Sequence, residues 1–362
     1  MSTLDDYLRM AAELQASDIH LKVGRPPLLR TNGDLLPTDL PPLSDYDVTR
    51  MIEEALGERY WKRFCEFWEL DVAYEIAEGT RFRLNVYKQR GAIEAVFRVV
   101  PVRPMTMEEI GLPELARSFP KRLRGLVLVT GPVGSGKSTT QAAMIDFINE
   151  HYPCHIVTIE DPIEFIHPNK KALVSQRELG LDTRSFEDAL RNVLREDPDV
   201  ILVGEMRDLD TVRLAITAAE TGHLVISTLH TMDAGETINR VIDIFPTHQQ
   251  DEVRMQLAVN LIGVIAQTLV RRADGRGRVA AFEVMVNVPA VATAIRENKI
   301  HQIASAIQTG MKSGMVSLDR SLAHLVRAGE ITYEEGLWRA KNPDEYSHFA
   351  LGTKQKEATR PC

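Results

Sequence analysis

The stretch that most constrains this chain is Gly131-Pro-Val-Gly-Ser-Gly-Lys-Ser138. It follows the apolar run Leu126-Val-Leu-Val129 and opens the helix-forming segment Thr139-Thr-Gln-Ala-Ala-Met-Ile-Asp146. Strand, glycine-rich turn, Lys-Ser and helix, in that order, suit a polyanion. Glycines let the backbone curl so that several N–H groups point inward, and the helix starting there adds the positive end of its dipole. Lys137 supplies a mobile cation for the β- and γ-phosphates of ATP, and the Ser138 hydroxyl can ligate Mg²⁺. The expected nucleotide contacts are therefore Gly131, Pro132, Val133, Gly134, Ser135, Gly136, Lys137, Ser138 and Thr139. The bland alternative is a glycine-rich surface turn with a stray lysine, and the flanking strand and helix count against it.

At 362 residues the chain is long enough for two domains, and 26% charged residues are ordinary for a soluble globular protein. A net charge of −8 argues against a protein held to nucleic acid or acidic lipid by bulk electrostatics. Cys65, Cys154 and Cys362 show no paired spacing, so neither a disulfide framework nor a zinc site is signalled, and a reducing cytosol fits. The N-terminus lacks the basic-then-apolar pattern of a signal peptide, and no apolar run is long enough to span a membrane. The nearest candidate, Leu257 to Val270, is interrupted by Asn260, Gln267 and Thr268 and reads as a buried helix.

In the first hundred residues, Leu4, Leu8, Ala11 and Ala12 share a helical face, and Ile19, Leu21 and Val23 alternate as in a strand. Asn32-Gly33 signals a hairpin, and residues 44–68 read as a helix opened by Ser44. A second hairpin joins Arg81–Tyr87 to Ile93–Val99. A turn centred on Arg90-Gly91 would pair Phe82 with Val99, Leu84 with Phe97 and Val86 with Ala95 on one apolar face. The same register sets Arg83 opposite Arg98. Like charges directly across a ladder are unfavourable, so an acid relieves them or an anion is brought to them.

Three prolines in 101–113 mark a linker. The remainder alternates strands at 126–130, 156–160, 199–204 and 223–229 with helical patterns, which predicts a parallel sheet covered on both faces. Ligands on such sheets bind beyond the carboxyl ends of the strands. There the sequence sets Glu160-Asp161-Pro-Ile-Glu164, Glu205 and His230. A carboxylate in that position downstream of a phosphate loop can hold Mg²⁺ or polarise the attacking water, and Glu205 is the first choice. One acid of the 160–164 segment could instead cap or turn the chain. His223 and His230 bracket one strand, a poor spacing for a shared metal; a structural or exposed histidine is the ordinary reading of each, and the strand-end position shifts His230 toward phosphate sensing. Asp233 is expected to cap the next helix.

Gly131 to Ser138, Thr158-Ile-Glu-Asp-Pro-Ile-Glu-Phe165, Leu202-Val-Gly-Glu-Met-Arg-Asp208 and Thr221-Gly-His-Leu-Val-Ile-Ser-Thr-Leu-His-Thr231 resemble four motifs of one family. They match, in order, the Walker A, Asp box, Walker B and His box of the type II/IV secretion ATPase superfamily, and within it the type IV pilus retraction ATPases. Ala16-Ser-Asp-Ile-His-Leu21 and Ala294-Ile-Arg-Glu-Asn-Lys299 extend the resemblance across residues 3–345, although Glu297-Asn298 stands in swapped order. The resemblance implies a PAS-like α+β domain over 1–100, a linker over 101–113, a RecA-like α/β ATPase core over 114–289, C-terminal helices over 290–352 and a flexible tail over 353–362. It implies a cytoplasmic homo-hexamer that uses ATP and Mg²⁺ to retract pili. The partners would be the inner-membrane platform protein and an accessory retraction ATPase.

By the same resemblance Glu205, with Glu164 and Glu160, would serve water activation and metal positioning, and Ser138 and Glu205 would meet Mg²⁺. His230 and His223 would report on the γ-phosphate. Arg83 and Arg98, fifteen residues apart as in the family, would reach the nucleotide from the same or a neighbouring chain. The long extra N-terminal domain and zinc-binding cysteine pairs of assembly ATPases have no counterpart. Ile331-Thr-Tyr-Glu-Glu335 leans toward the accessory paralogue, whereas Leu194–Asp199 and Gly204–Asp208 lean toward the retraction ATPase itself. A nucleic-acid motor on the same sheet is the alternative of a different class, disfavoured by the acidic composition, and a nucleotide-gated scaffold without useful hydrolysis is another.

Overall fold

The computed structural model of the chain describes residues 3–352 apart from 15, 32, 78 and 101–102. The expected tail 353–362 and the first two linker positions lie outside the described residues. Two compact units emerge, one of residues 1–103 with 164–166, the other of 104–163 with 167–362. Among the described residues no helix is long and apolar enough to cross a membrane.

The first unit is an antiparallel sheet with two helices. Its strands are β1 (Asp18–Lys22), β2 (Leu28–Thr31), β3 (Asp34–Pro37), β4 (Glu69–Glu75), β5 (Arg81–Gln89) and β6 (Ala92–Val99), in the order β3-β2-β1-β6-β5-β4. The expected register of the β5–β6 hairpin is found, from Phe82↔Val99 to Gln89↔Ala92. Arg90 and Gly91 both take positive φ, 52° and 85°, the backbone that a two-residue turn needs to match strand twist. Phe82, Leu84, Val86, Ala95 and Phe97 consequently share one buried face, against Leu8, Val48, Ile52 and Phe64 of the helices.

Those helices, Leu4–Glu13 and Asp45–Phe67, each open with a reciprocal capping box, Thr3 with Asp6 and Ser44 with Asp47. The second is not the single helix that the sequence suggests. Gly57, at φ 60° and ψ 176°, breaks it into two segments across a kink.

The second unit is organised on seven strands: β7 (Gly125–Thr130), β8 (His155–Glu160), β9 (Leu173–Glu178), β10 (Val200–Val203), β11 (Leu224–Leu229), β12 (Leu261–Arg271) and β13 (Arg278–Val286). Their order is β13-β12-β7-β11-β10-β8-β9, and every pairing is parallel except β12 with β13. Side chains of β7 alternate between two cores. Leu126 and Leu128 join the helices Phe186–Val193, Leu209–Glu220 and Ala234–Asp243 on one face, and Val127 and Val129 join the helix Lys137–His151 on the other. This is the doubly covered α/β sheet that the apolar strands call for.

The reading of Leu257 to Val270 as a buried helix is corrected. The helix Gln250–Asn260 stops at Asn260, and the apolar run beyond it is β12, paired with β7 on one side and β13 on the other. A buried apolar run has no periodicity to choose between helix and strand. Ile262, Val264, Ile265, Thr268 and Val270, all branched at Cβ, favour the strand. After β13 the described residues form short helices, among them Leu318–Arg327, Tyr333–Arg339 and Pro343–Leu351, packed around Tyr346 and Leu322 against Val270 and Ala281.

Candidate functional site

β7 ends at Thr130, and residues 131–136 lead directly into the helix Lys137–His151, with Gly136 at its cap. Gly131 holds φ 144°. A Cβ there would stand 2.3 Å from the Gln267 carbonyl oxygen and 2.6 Å from Ser135 Oγ, so the neighbouring strand lies against the loop where only glycine fits. The Gln267 side chain, buried in β12, ties the loop down. Its Nε2 donates to the Ser135 carbonyl at 2.7 Å, and its Oε1 accepts from Thr140 Oγ1 at 2.8 Å. Sequence reasoning took Gln267 for an interruption of an apolar run. An amide at an interior strand position one strand from the loop was the signal available. Ser135 Oγ is buried without a hydrogen-bond partner.

The carboxyl ends of β10 and β11 bring Glu205 and His230 to the same edge. Lys137 Nζ donates to the carbonyls of Gly131 at 2.9 Å and Pro132 at 3.1 Å, and lies 3.3 Å from His230 Nδ1. An ammonium only donates, so Nδ1 accepts and the ring proton sits on Nε2. That nitrogen is 3.1 Å from Glu205 Oε1, to which it donates. The other carboxylate oxygen is 2.9 Å from Arg207. Burial pushes the Glu205 carboxyl up, but Arg207 and His230 outweigh it, and the group is held below the ordinary carboxylate range. The result is a continuous polar chain, Lys137–His230–Glu205–Arg207, beside the loop.

The other expected residues divide. Glu160, at the end of β8, accepts from Thr158 Oγ1 at 2.7 Å and Gln176 Nε2 at 3.1 Å, so its carboxylate is oriented by its own strand and the next. Glu164 is exposed beyond the Asp161–Pro162 bend. Ser138 and Thr139 sit half-exposed in the first turn of the loop's helix. His223 is not brought to this edge. It precedes β11, at the amino end of the sheet, with Nδ1 2.9 Å from the Ala218 carbonyl and 3.2 Å from Thr221 Oγ1. A strand rises about 3.3 Å per residue, so the length of β11 separates it by roughly 20 Å from His230 of the same chain. Its expected part in reporting on the γ-phosphate of this loop therefore does not follow from the geometry.

In the first unit, Arg83 and Arg98 face one another across the ladder, and acids relieve both: Asp71 lies 3.5 Å from Arg83, and Asp18 2.8 Å from Arg98.

The donor set around the loop fits a phosphate carrying Mg²⁺. Gly131, Gly134 and Gly136 all take positive φ, which curls the loop, the Lys137 ammonium can donate to an anionic oxygen, and the Ser138 hydroxyl and Glu205 carboxylate are hard oxygens of the kind that Mg²⁺ would take from protein.

Comparison with known proteins agrees with the motif blocks. The family model described as type II/IV secretion system protein matches residues 81–337. The type IV pilus retraction ATPase PilT of Pseudomonas aeruginosa is 50% identical over 95% of this chain and 99% of its own length. A twitching motility protein of Neisseria gonorrhoeae is 48% identical over 89% and 86%, whereas the PilU ATPase of P. aeruginosa is 39% identical over 94% and 89%. A crystal structure of the pilus retraction motor PilT with bound ADP superposes with a TM-score of 0.89 at 44% identity, covering 95% of this chain and 99% of that one. Motif order, fold and identity across nearly the whole length agree, and the chain belongs to the type II/IV secretion system protein family.

Proposed function

We propose that the chain is a Mg²⁺-dependent ATPase which, as a homo-hexamer at the cytoplasmic face of the inner membrane, powers retraction of type IV pili against the platform protein. The observation that carries the hydrolytic part is the hydrogen-bonded chain from Lys137 through His230 to Glu205. Identity to retraction ATPases over almost the full length supports the mechanical part.

The work assigned to each residue follows from its chemistry. The loop amides and Lys137 hold the β- and γ-phosphates in line, because phosphoryl transfer depends mostly on positioning and charge stabilisation. Glu205, kept ionised by Arg207 and His230, orients the attacking water and takes its proton. His230 contacts both the phosphate-binding lysine and the carboxylate, so a change at one is felt by the other. Ser138 and Glu205 would hold Mg²⁺, which when bound would supply neutralisation of phosphate charge. Glu160 is assigned a second-carboxylate role in orienting water, and Glu164, Arg83 and Arg98 are assigned to the nucleotide through the family pattern.

The test is steady-state ATP hydrolysis by the purified full chain together with pilus retraction in a deletion strain. Glu205→Gln and Lys137→Ala are expected to lower kcat at least a hundredfold while leaving a folded oligomer, and to abolish retraction. Wild-type turnover in Glu205→Gln would sink the assignment. DNA-stimulated turnover would favour a nucleic-acid motor, and retraction that persists without the chain would favour an accessory role.

A further inference from the structure

Resting on the role just given to His230, we propose that Lys341 is a positioning residue for that histidine and ties the C-terminal helices to the hydrolytic site. Lys341 follows the helix Tyr333–Arg339, far along the chain from the motifs, and the proposed reaction gives it no part. Its ammonium reaches between two carboxylates, 2.9 Å from Glu283 Oε2 on β13 and 3.2 Å from Asp233 Oδ2. Its backbone is fixed as well. The N–H groups of Lys341 and Asn342 donate to the two carboxylate oxygens of buried Asp319, at 2.7 Å and 3.1 Å.

Asp233 is the point at which this grip becomes functional. It stands three residues after His230 and caps the helix Ala234–Asp243, its Oδ1 accepting from the Glu236 N–H at 2.8 Å. The segment between His230 and the helix is pinned to the same first turn. Met232 N–H donates to Glu236 Oε2 at 2.7 Å, and Thr231 Oγ1 shares a 2.8 Å hydrogen bond with Thr237 Oγ1. Glu283, only 6% exposed, accepts from the Ala234 N–H through its other oxygen at 2.9 Å. One ammonium thus holds together the two carboxylates that fix where this helix starts, and with it the loop that presents His230.

Without that cation, buried Glu283 would face the 37%-exposed Asp233 as a like charge, and the helix start would be free to shift. The phosphate loop, braced separately by Gln267, would keep its geometry. Loss of Lys341 should therefore reach kcat through His230 and spare nucleotide affinity.

The experiment compares full-length wild type, Lys341→Met, Lys341→Arg and Lys341→Met in a His230→Gln background, reading kcat and KM for ATP and thermal unfolding. The expected result is a fall in kcat of about tenfold in Lys341→Met with KM within twofold, near-wild-type kcat in Lys341→Arg, and no further loss when His230 is already Gln. An unchanged kcat in Lys341→Met, or an equal loss on top of His230→Gln, overturns the proposal, because a merely structural lysine would act additively. If Lys341→Met does not fold, Lys341→Met/Glu283→Gln strands no buried carboxylate and replaces it. In that variant a kcat reduced at least threefold, again absorbed by His230→Gln, is expected, and wild-type kcat overturns the idea. Absence of ATP turnover in the wild-type chain would instead defeat the hydrolytic reading itself.

Discussion

Glu205 is the residue on which opposing electrostatic effects meet. Burial favours its neutral form, and two cationic or donor groups favour the ionised form and win. Arg207 is mostly exposed, so water screens its share, yet it and His230 together hold the carboxyl low enough to stay charged through the acid side of neutrality. A protonated Glu205 could not accept the proton of the attacking water. Activity should therefore fall as pH drops through the carboxyl's own titration, and Arg207→Ala should move that acid limb to higher pH, as a pH profile of kcat would record. An unmoved limb would mean that Arg207 is only a surface partner.

Lys137, Glu205 and His230 could be placed at one edge from the sequence, because a carboxyl-terminal strand position is fixed once the parallel sheet is recognised. Gln267 and Lys341 could not. Their roles depend on which strands and helices become neighbours across long stretches of chain, and neither carries a local pattern.

At the level of elements, strong local rules read correctly and long uniform stretches did not. The β5–β6 register followed from a two-residue turn and three apolar pairs, each of which excludes a one-residue slip. The helix Asp45–Phe67 looked continuous because its flanks are good helix formers, but Gly57 takes a φ/ψ combination that is essentially glycine's alone. Gly57→Ala should consequently destabilise the chain by about 1–3 kcal/mol, measurable by denaturant unfolding, although a Cβ there meets nothing within 4 Å. A stabilised variant would show that the kink is dispensable and that the helix prefers to run straight. The misread β12 shows the complementary failure, since burial on both faces removes the alternation that identifies a strand.

At the scale of the whole molecule, the first unit carries the two arginines that the proposed function assigns to the nucleotide. Arg83 and Arg98 have been assigned one task, but the structure gives them unequal structural duties. Arg98 pairs with Asp18, whose side chain is 5% exposed, and removing it leaves that buried carboxylate, among the described residues, with Arg30 at 3.8 Å and the Ser17 hydroxyl at 2.8 Å. Arg83 and Asp71 are both well exposed, so their pairing contributes about 0–1 kcal/mol. Arg83→Ala should then lower kcat at least tenfold with an unchanged unfolding temperature, whereas Arg98→Ala should lower both. If Arg83→Ala retains wild-type turnover, the family pattern does not carry over to this position. The three prolines of 101–113 were the sequence signal for a division into two halves. The acids beside the arginines did not show: Asp18, 80 residues from Arg98, is brought to it by sheet order, and Asp71 on β4 reaches Arg83 on the strand paired with it only once the register is known.

The brace that Gln267 places on the phosphate loop also has a consequence in time. A loop anchored through both its Ser135 carbonyl and its Thr140 hydroxyl to the adjacent strand does not have to search for its shape when a phosphate arrives. Capture is then governed by diffusion and charge, and the slow events of a turnover cycle are left to parts of the molecule that are less firmly held.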